Sequence, residues 1–408
     1  MNILLINHYA GSPKMGMEYR PYYLAKEWVK RGHKVYIIAA SHSHVRTNQP
    51  KVSTDFQEEI TDGINYIWVR TPVYSGNSFG RIRNMFTFTR KLWVKSRFIA
   101  KMFNPDVVIA SSTYPLDNYP AKKISKFSKA KYIYEVHDLW PLSPMELGGY
   151  SKWHPFIQIM QRAENFAYKN IDAVVSMLPK TLSHMVSHGL TEDKFNYLPN
   201  GFCIDEWDEN NKIIESHKNI IEEVKAKGNK IIAYTGSHGI ANSLENFLSV
   251  AEILIEKKLS FILVGNGHEK ENLKKIVEIK KLNNVIFIDS ISKNQIPNLL
   301  SYFDFLYIGL KHQPLFRFGI SPNKMIDYMM AGKPIIQAII AGNDMVKEAN
   351  CGVSVKPDNP KEVANAILKL MNLSDEELSK LGENGKKYVK ENHDYTKLAE
   401  QFIDVLSK

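Results

Sequence analysis

Cysteine is almost absent: Cys203 and Cys351 are the only two among 408 residues. Two thiols cannot build a disulfide framework or a four-thiolate metal site. No other metal-ligand cluster stands at a recognised spacing, so no metal is expected. No apolar run reaches the roughly 18 residues that span a bilayer. The first residues, MNILLINHYAG, have neither a basic segment nor a cleavage site and do not read as a signal peptide. Tandem repeats, low-complexity segments, a GxGxxG fingerprint, a Walker sequence and a nucleophile elbow are all missing. So are zinc-finger spacing, an RNP-like aromatic pattern and an arginine-rich tail, which argues against a nucleic-acid partner. What remains is ordinary globular composition, 44% apolar and 24% charged, expected in a reducing cytoplasm and long enough for two or three domains.

Acidic residues are locally scarce. Residues 1–205 hold 26 Lys/Arg against 16 Asp/Glu, whereas residues 206–408 hold 27 of each, so the first half carries the whole net charge of +10. Such asymmetry suggests that one half faces an anionic partner. Between Ile64 and Pro105 there is no acidic residue. Its centre, FGRIRNMFTFTRKLWVKSRFIAKMF at 79–103, repeats Arg83, Arg90 and Arg97 every seven residues, on one helix face. Aromatic residues, Trp93 among them, lie between the cations. A basic aromatic helix suits an anionic lipid surface. It could equally pack on a sheet and leave its cations in water.

Strand-like apolar runs alternate with helical segments. Strands are expected at Asn2–Ile6, Lys34–Ala40, Asp106–Ala110, Lys131–Val136 and Asp172–Ser176. In the second half they are expected at 230–234, 260–264, 285–288, 304–308, 334–337 and 352–355. Eleven strands are many for one open sheet, so two doubly wound parallel sheets are predicted. The first domain is placed at 1–205, a polar linker at 206–229 and the second domain at 230–389, with a final helix near 390–408 packing back on the first. In such sheets ligands bind beyond the carboxyl ends of the strands.

Four stretches could carry chemistry there. In GISPNKMIDYMMAGKP, residues 319–334, Ser321 is a suitable N-cap, Pro322 a first helical residue and Gly332 a stop. The helix start offers free N–H groups and a positive dipole end, Lys324 adds a full charge, and Asp327 lies one turn on, where it could take a ribose diol. An ordinary capped surface helix would read the same. In YTGSHG, residues 234–239, Gly236 and Gly239 permit close backbone approach and His238 could hydrogen-bond a phosphate. A helix capped by Asn242 with Glu245 is expected to follow. Gly265 and Gly267 end another strand and could wall a nucleotide pocket. In YEVHDLWP, residues 134–141, His137 stands at a strand's carboxyl end.

Together, the N-terminal loop with GMEYRPYYLAKEWVKRGHKV, EVHDLWP, YTGSHGIANSLENFL, LVGNG and SPNKMIDYMMAGKP resemble the retaining GT-B glycosyltransferases of family-4 type, over nearly the whole chain. The subgroup most similar adds an amino sugar, such as N-acetylfucosamine, to a lipid-linked O-antigen or capsule precursor. The resemblance implies an α/β GT-B fold, two Rossmann-like domains facing a cleft, and a nucleotide-sugar donor, usually UDP-linked, held by the second domain. It implies no cofactor and no metal. By resemblance, Lys324 and Ser321, Pro322 and Asn323 hold the diphosphate, beside Gly319 and Ile320. Asp327 takes the second acidic position of a Glu-x7-Glu pattern. Gly236, Ser237 and His238 lie on a phosphate loop. His137 sits near the donor sugar, and it and Lys324 are the expected catalytic residues. Gly16, Met17 and Arg20 lie on the side of the diphosphate and acceptor. Expected partners are a nucleotide sugar, a polyprenyl-diphosphate-linked saccharide and an anionic membrane touched by Arg83, Arg90, Trp93 and Arg97, on the inner face of the cell membrane.

Two positions depart from that pattern. Gly319 replaces the first acidic residue, and Ser237 stands where an arginine is usual. Two rivals follow: a UDP-sugar 2-epimerase of the same architecture, and a nucleotide-sugar-binding protein without catalysis.

Overall fold

Short aliphatic runs buried on both faces form parallel strands, because only helices covering both sides of a sheet can hide them. The computed structural model describes residues 1–16, 19–76 and 79–407; Met17 lies outside them. The first sheet has eight strands: β1 (Asn2–Ile6), β2 (Lys34–Ala40), β3 (Gln57–Thr61), β4 (Ile64–Val69), β5 (Val107–Ala110), β6 (Lys131–Val136), β7 (Ala173–Ser176) and β8 (Phe195–Tyr197). Their order is β3-β4-β2-β1-β5-β6-β7-β8, and only the β3–β4 pair is antiparallel. The second sheet has six parallel strands: β9 (Lys230–Thr235), β10 (Leu259–Val264), β11 (Val285–Ile288), β12 (Phe305–Gly309), β13 (Ile335–Ala338) and β14 (Gly352–Val355). Their order is β11-β10-β9-β12-β13-β14. Strand order reverses between β1 and β5 and between β9 and β12. The carboxyl ends at these switch points are where such sheets bind ligands.

The chain divides into two compact units, 1–200 with 395–408, and 201–394. Four helices matter below: α1 (Tyr19–Lys30), α2 (Phe79–Phe103), α3 (Asn323–Met330) and α4 (Tyr395–Ser407). In the first unit, α4 docks on α1: Trp28 Nε1 donates to Ala399 O at 3.1 Å, and Tyr23 stacks on Tyr395. The expected linker at 206–229 is corrected. It belongs to the second unit and contains a helix, Glu215–Ala226, that buries His217, Ile221 and Val224. Its many charges line the solvent face and mask the periodicity. Phe202 N donates to His393 O at 2.7 Å, tying residues 201–205 to the second unit rather than the first.

Candidate functional site

The second unit interlocks two glycine turns at the carboxyl ends of β9 and β10. Gly236 has φ +131° and Gly265 φ +143°, a region that L side chains rarely enter. A Cβ on Gly265 would stand 1.9 Å from Gly236 O. His238 N donates to Asn266 O at 2.9 Å, and Glu269 N donates to His238 O at 3.0 Å. Lys270, which the sequence did not single out, clamps the second turn through Gly265 O, Asn266 Oδ1 and Asp289 Oδ1 at 2.9, 2.8 and 2.6 Å. Its lysine is one of many in the segment, and nothing in its spacing marks it.

The expected phosphate contact from the His238 ring is corrected. The residue is fully buried, its ring lies near Tyr234 and Phe287, and among the described residues neither ring nitrogen has a hydrogen-bond partner. Burial, aided by Lys270 and Lys324, lowers its pKa to about 4, so the imidazole is neutral. In this arrangement His238 joins the two turns through its backbone. Ser237 shares the turn and accepts, through its carbonyl, from Tyr234 Oη at 2.7 Å and from Asn242 Nδ2 at 3.0 Å. Asn242 therefore does not cap the next helix, which starts after Ser243.

Helix α3 brings a cation to the same turns. Its first helical residue is Asn323, with Pro322 at the N-cap, so Ser321 stands one residue outside the cap position predicted for it. Proline offers no capping side chain, which leaves the first turn without one. Lys324 Nζ lies 3.8 Å from the centre of the Tyr234 ring. A Cβ on Gly236 would stand 2.9 Å from Lys324 Cε, so the missing side chain is what makes room for the amine. Burial lowers the Lys324 ammonium to about 7, and among the described residues no carboxylate pairs with it. Asp327 makes no ion pair with Lys324. Burial raises its carboxyl to about 6, with Lys293 opposing.

Ile320 is pinned on both sides by Asn343, its N–H to Oδ1 at 2.8 Å and its carbonyl from Nδ2 at 3.0 Å. Gly319 adopts φ +103°, ψ 173°. A glutamate is therefore not simply missing there; this backbone excludes it. Gly319→Glu is expected to lower the unfolding midpoint, by about 1–3 kcal/mol of stability, and to gain no activity. A variant as stable and more active than the parent would contradict that.

In the first unit, His137 Nε2 lies 2.9 Å from Ser111 Oγ and 3.1 Å from Glu135 Oε2. Glu135 is fully buried and escaped the sequence reading. Arg20 Nε donates to its Oε1 at 2.9 Å, and the other Arg20 nitrogens donate to Pro199 O and Leu198 O. The expected role of Arg20 toward an acceptor diphosphate is thus corrected: the guanidinium is buried and engaged within its own unit. Gly16, with φ +93°, closes the first loop tightly, since a Cβ there would meet Thr47 Oγ1 at 2.7 Å. On α2, Met85, Phe88, Leu92 and Ile99 are buried, while Arg83, Arg90, Trp93 and Arg97 are exposed together with Phe86, Val94 and Phe98. One group of metal-type ligands also occurs, Glu164, His184 and His188, with ligand atoms within 4.8 Å of one another. Glu164 already accepts from His184, Tyr168 and Gln161.

Residues 15–206 match the family described as Glycosyltransferase Family 4, and residues 216–388 match Glycosyl transferases group 1. The chain is 23% identical over 294 residues to a protein of Escherichia coli (strain K12) named as the colanic acid biosynthesis glycosyl transferase WcaI, covering 68% of this chain and 69% of that one. HepE of Anabaena, solved with UDP and glucose, superposes with TM-score 0.65 at 16% identity and full coverage of both chains. WaaG, a glycosyltransferase involved in lipopolysaccharide biosynthesis, does so with TM-score 0.65 at 14% identity, covering 99% of each chain.

Proposed function

The chain belongs to the glycosyltransferases of GT-B fold, and from that premise we propose that it moves a sugar from a UDP-linked donor to a saccharide carried on a lipid diphosphate. We further propose net retention, no metal, and a place in surface-polysaccharide synthesis on the inner face of the cell membrane. The sugar is proposed to be an N-acetylamino sugar such as N-acetylfucosamine. The observation that carries the donor half is Lys324, an amine held beside the Gly236 turn at the start of α3 with no carboxylate partner among the described residues.

Glycosyl transfer breaks the bond from the anomeric carbon to the diphosphate. Negative charge grows on the departing phosphate oxygens while the sugar becomes oxocarbenium-like. Fixed positive potential aimed at those oxygens lowers the barrier, and it works best where burial has removed competing water. Lys324 and the positive dipole end of α3 supply it. In the proposed retaining course, the acceptor hydroxyl attacks from the face that the diphosphate leaves, and its proton passes to a leaving phosphate oxygen. His137, steadied by Glu135 and Ser111, orients the donor sugar, and Asp327 receives the ribose hydroxyls. HepE was solved with UDP and glucose, which favours UDP as the first nucleotide to try. A screen of UDP-, GDP- and dTDP-sugars with a polyprenyl-diphosphate acceptor tests the reading. Transfer from no donor, or epimerised UDP-sugar without acceptor, would end it.

The outer face of α2 supports the membrane half. Among the described residues no helix is long and apolar enough to cross a bilayer. Yet Arg83, Arg90 and Arg97 point outward beside Trp93, 45% exposed, and Phe98, 53% exposed. Each cation near an anionic leaflet contributes about 1 kcal/mol. Reversing all three arginines to glutamate is expected to lower binding to anionic vesicles at least 100-fold with the circular-dichroism spectrum unchanged. Equal sedimentation of parent and variant with vesicles would remove the membrane role of α2.

A further inference from the structure

A second cationic cluster lies in the first unit, where the loops after β1 and β2 meet the start of α2. Arg46 is 4% exposed, donates from Nη2 to Ala40 O, and stands 5.2 Å from the Trp68 ring. Its Nε and Nη1 are buried and have no hydrogen-bond partner among the described residues. Among the described residues no carboxylate forms an ion pair with it. Burial lowers even this guanidinium, to about 10. Nearby, exposed His44 places Nδ1 2.8 Å from Tyr74 Oη, and its ring meets Tyr9 edge-on at 5.6 Å. Arg81 Nε donates to Tyr9 Oη at 3.2 Å, and Arg81 Cζ lies 5.6 Å from the Trp140 ring. The cations feel one another: His8 and His44 are held below the usual imidazole range, by burial first and then by Arg46 and Arg81 for His8 and by Arg81 and His42 for His44.

A buried guanidinium without a counter-charge is unfavourable. Among the described residues Trp68, Tyr66 and Tyr74 bring no formal charge to offset it, and an anion held by Arg81 and His44 would. The Ser12–Gly16 loop borders the same place, since Thr47 N and Asn48 N both donate to Met15 O, at 2.9 and 3.2 Å. Arginine forks fit phosphate oxygens in pairs. We propose that Arg81 and His44, backed by the charge of Arg46, form a diphosphate-binding site that holds the head of the lipid-linked acceptor. This rests on the transferase reading above, and it replaces Arg20 in that role.

The test is titration calorimetry on the full chain with farnesyl diphosphate, inorganic pyrophosphate, farnesol and UDP. The parent is expected to bind both diphosphate probes and not farnesol. Arg81→Gln and Arg46→Met should each weaken farnesyl diphosphate and pyrophosphate at least tenfold, Arg46→Lys should restore most of the loss, and UDP affinity should stay within twofold. Arg81, half-buried, keeps the test open if Arg46→Met does not fold. Unchanged probe binding in Arg81→Gln, equal binding of farnesol, failure of Arg46→Lys to rescue, or an equal loss for UDP would each overturn the site. A parent that binds pyrophosphate through this cluster but never binds UDP would instead count against the donor reading alone.

Discussion

Lys324→Ala is expected to lower kcat/KM by about 10²–10³-fold, the cost of removing one aimed donor from a preorganised anion site, and to weaken UDP binding while leaving the fold intact. The amine rests against the Tyr234 ring, 3.8 Å from its centre, with no carboxylate partner among the described residues. Its removal strands no counter-charge, and the loss should fall on ligand binding and turnover rather than on stability. The neighbouring Gly236 makes the same point from the other side. A side chain there would stand within 3.0 Å of Nζ, so Gly236→Ala should push the amine aside and reproduce part of the Lys324→Ala defect.

The titration of Lys324 adds a pH signature. Burial lowers its pKa to about 7 in the free protein, and a bound diphosphate raises it again. UDP binding therefore takes up a proton above pH 7, and affinity should fall about tenfold per pH unit until the bound-state pKa is reached. In the ligand-free chain the sign is opposite. The unfolded amine, with its usual value of 10.5, binds more protons than the folded one between pH 7 and 10.5, so this group favours the folded state increasingly as pH rises through that window. Calorimetry with UDP from pH 6.5 to 9 reads the first effect. A flat profile, or an alanine variant with parental UDP affinity, would show that the diphosphate does not meet this amine.

The fold was legible where the chemistry of a segment is uniform. Asn2–Ile6 and Lys34–Ala40 are apolar after their first residue and form strands with the expected bounds, as does Lys131–Val136 although Glu135 interrupts it. β3 was missed because Glu58 and Glu59 leave no apolar alternation in an exposed edge strand. β4 was missed because its apolar run lies in the acid-free stretch that reads as one basic segment. In the candidate site, glycines announced the turns, since a positive φ restricts the residue type. Partners far apart in sequence left no such trace. His238 carried the pattern of a phosphate ligand but turned inward between Tyr234 and Phe287, a choice made by packing rather than by local sequence. Arg20 and Glu135 are 115 residues apart, and no spacing rule joins them.

That pair carries the second large effect. Arg20→Met should cost about 3–5 kcal/mol of stability, because it leaves the fully buried Glu135 carboxylate without its cation. Burial alone would raise the Glu135 carboxyl, but Arg20, His137 and the Ser111 hydroxyl outweigh it and hold it at about 2. The unfolded value is 4.5. Since the folded value is the lower one, the contribution is complete above pH 4.5 and is lost as pH falls from 4.5 toward 2. Adding Glu135→Gln to Arg20→Met should recover part of the loss, since the stranded charge disappears with it, and should flatten the acid limb of the stability profile. Urea unfolding of the parent, the single variants and the double variant between pH 3 and 7 measures all of this. An arginine that serves as an acceptor ligand predicts the reverse pattern: a parental midpoint for Arg20→Met, with weaker binding of diphosphate probes. The two outcomes separate cleanly, and the hydrogen bonds from Arg20 to Glu135, Leu198 and Pro199 place the weight on the loss of stability.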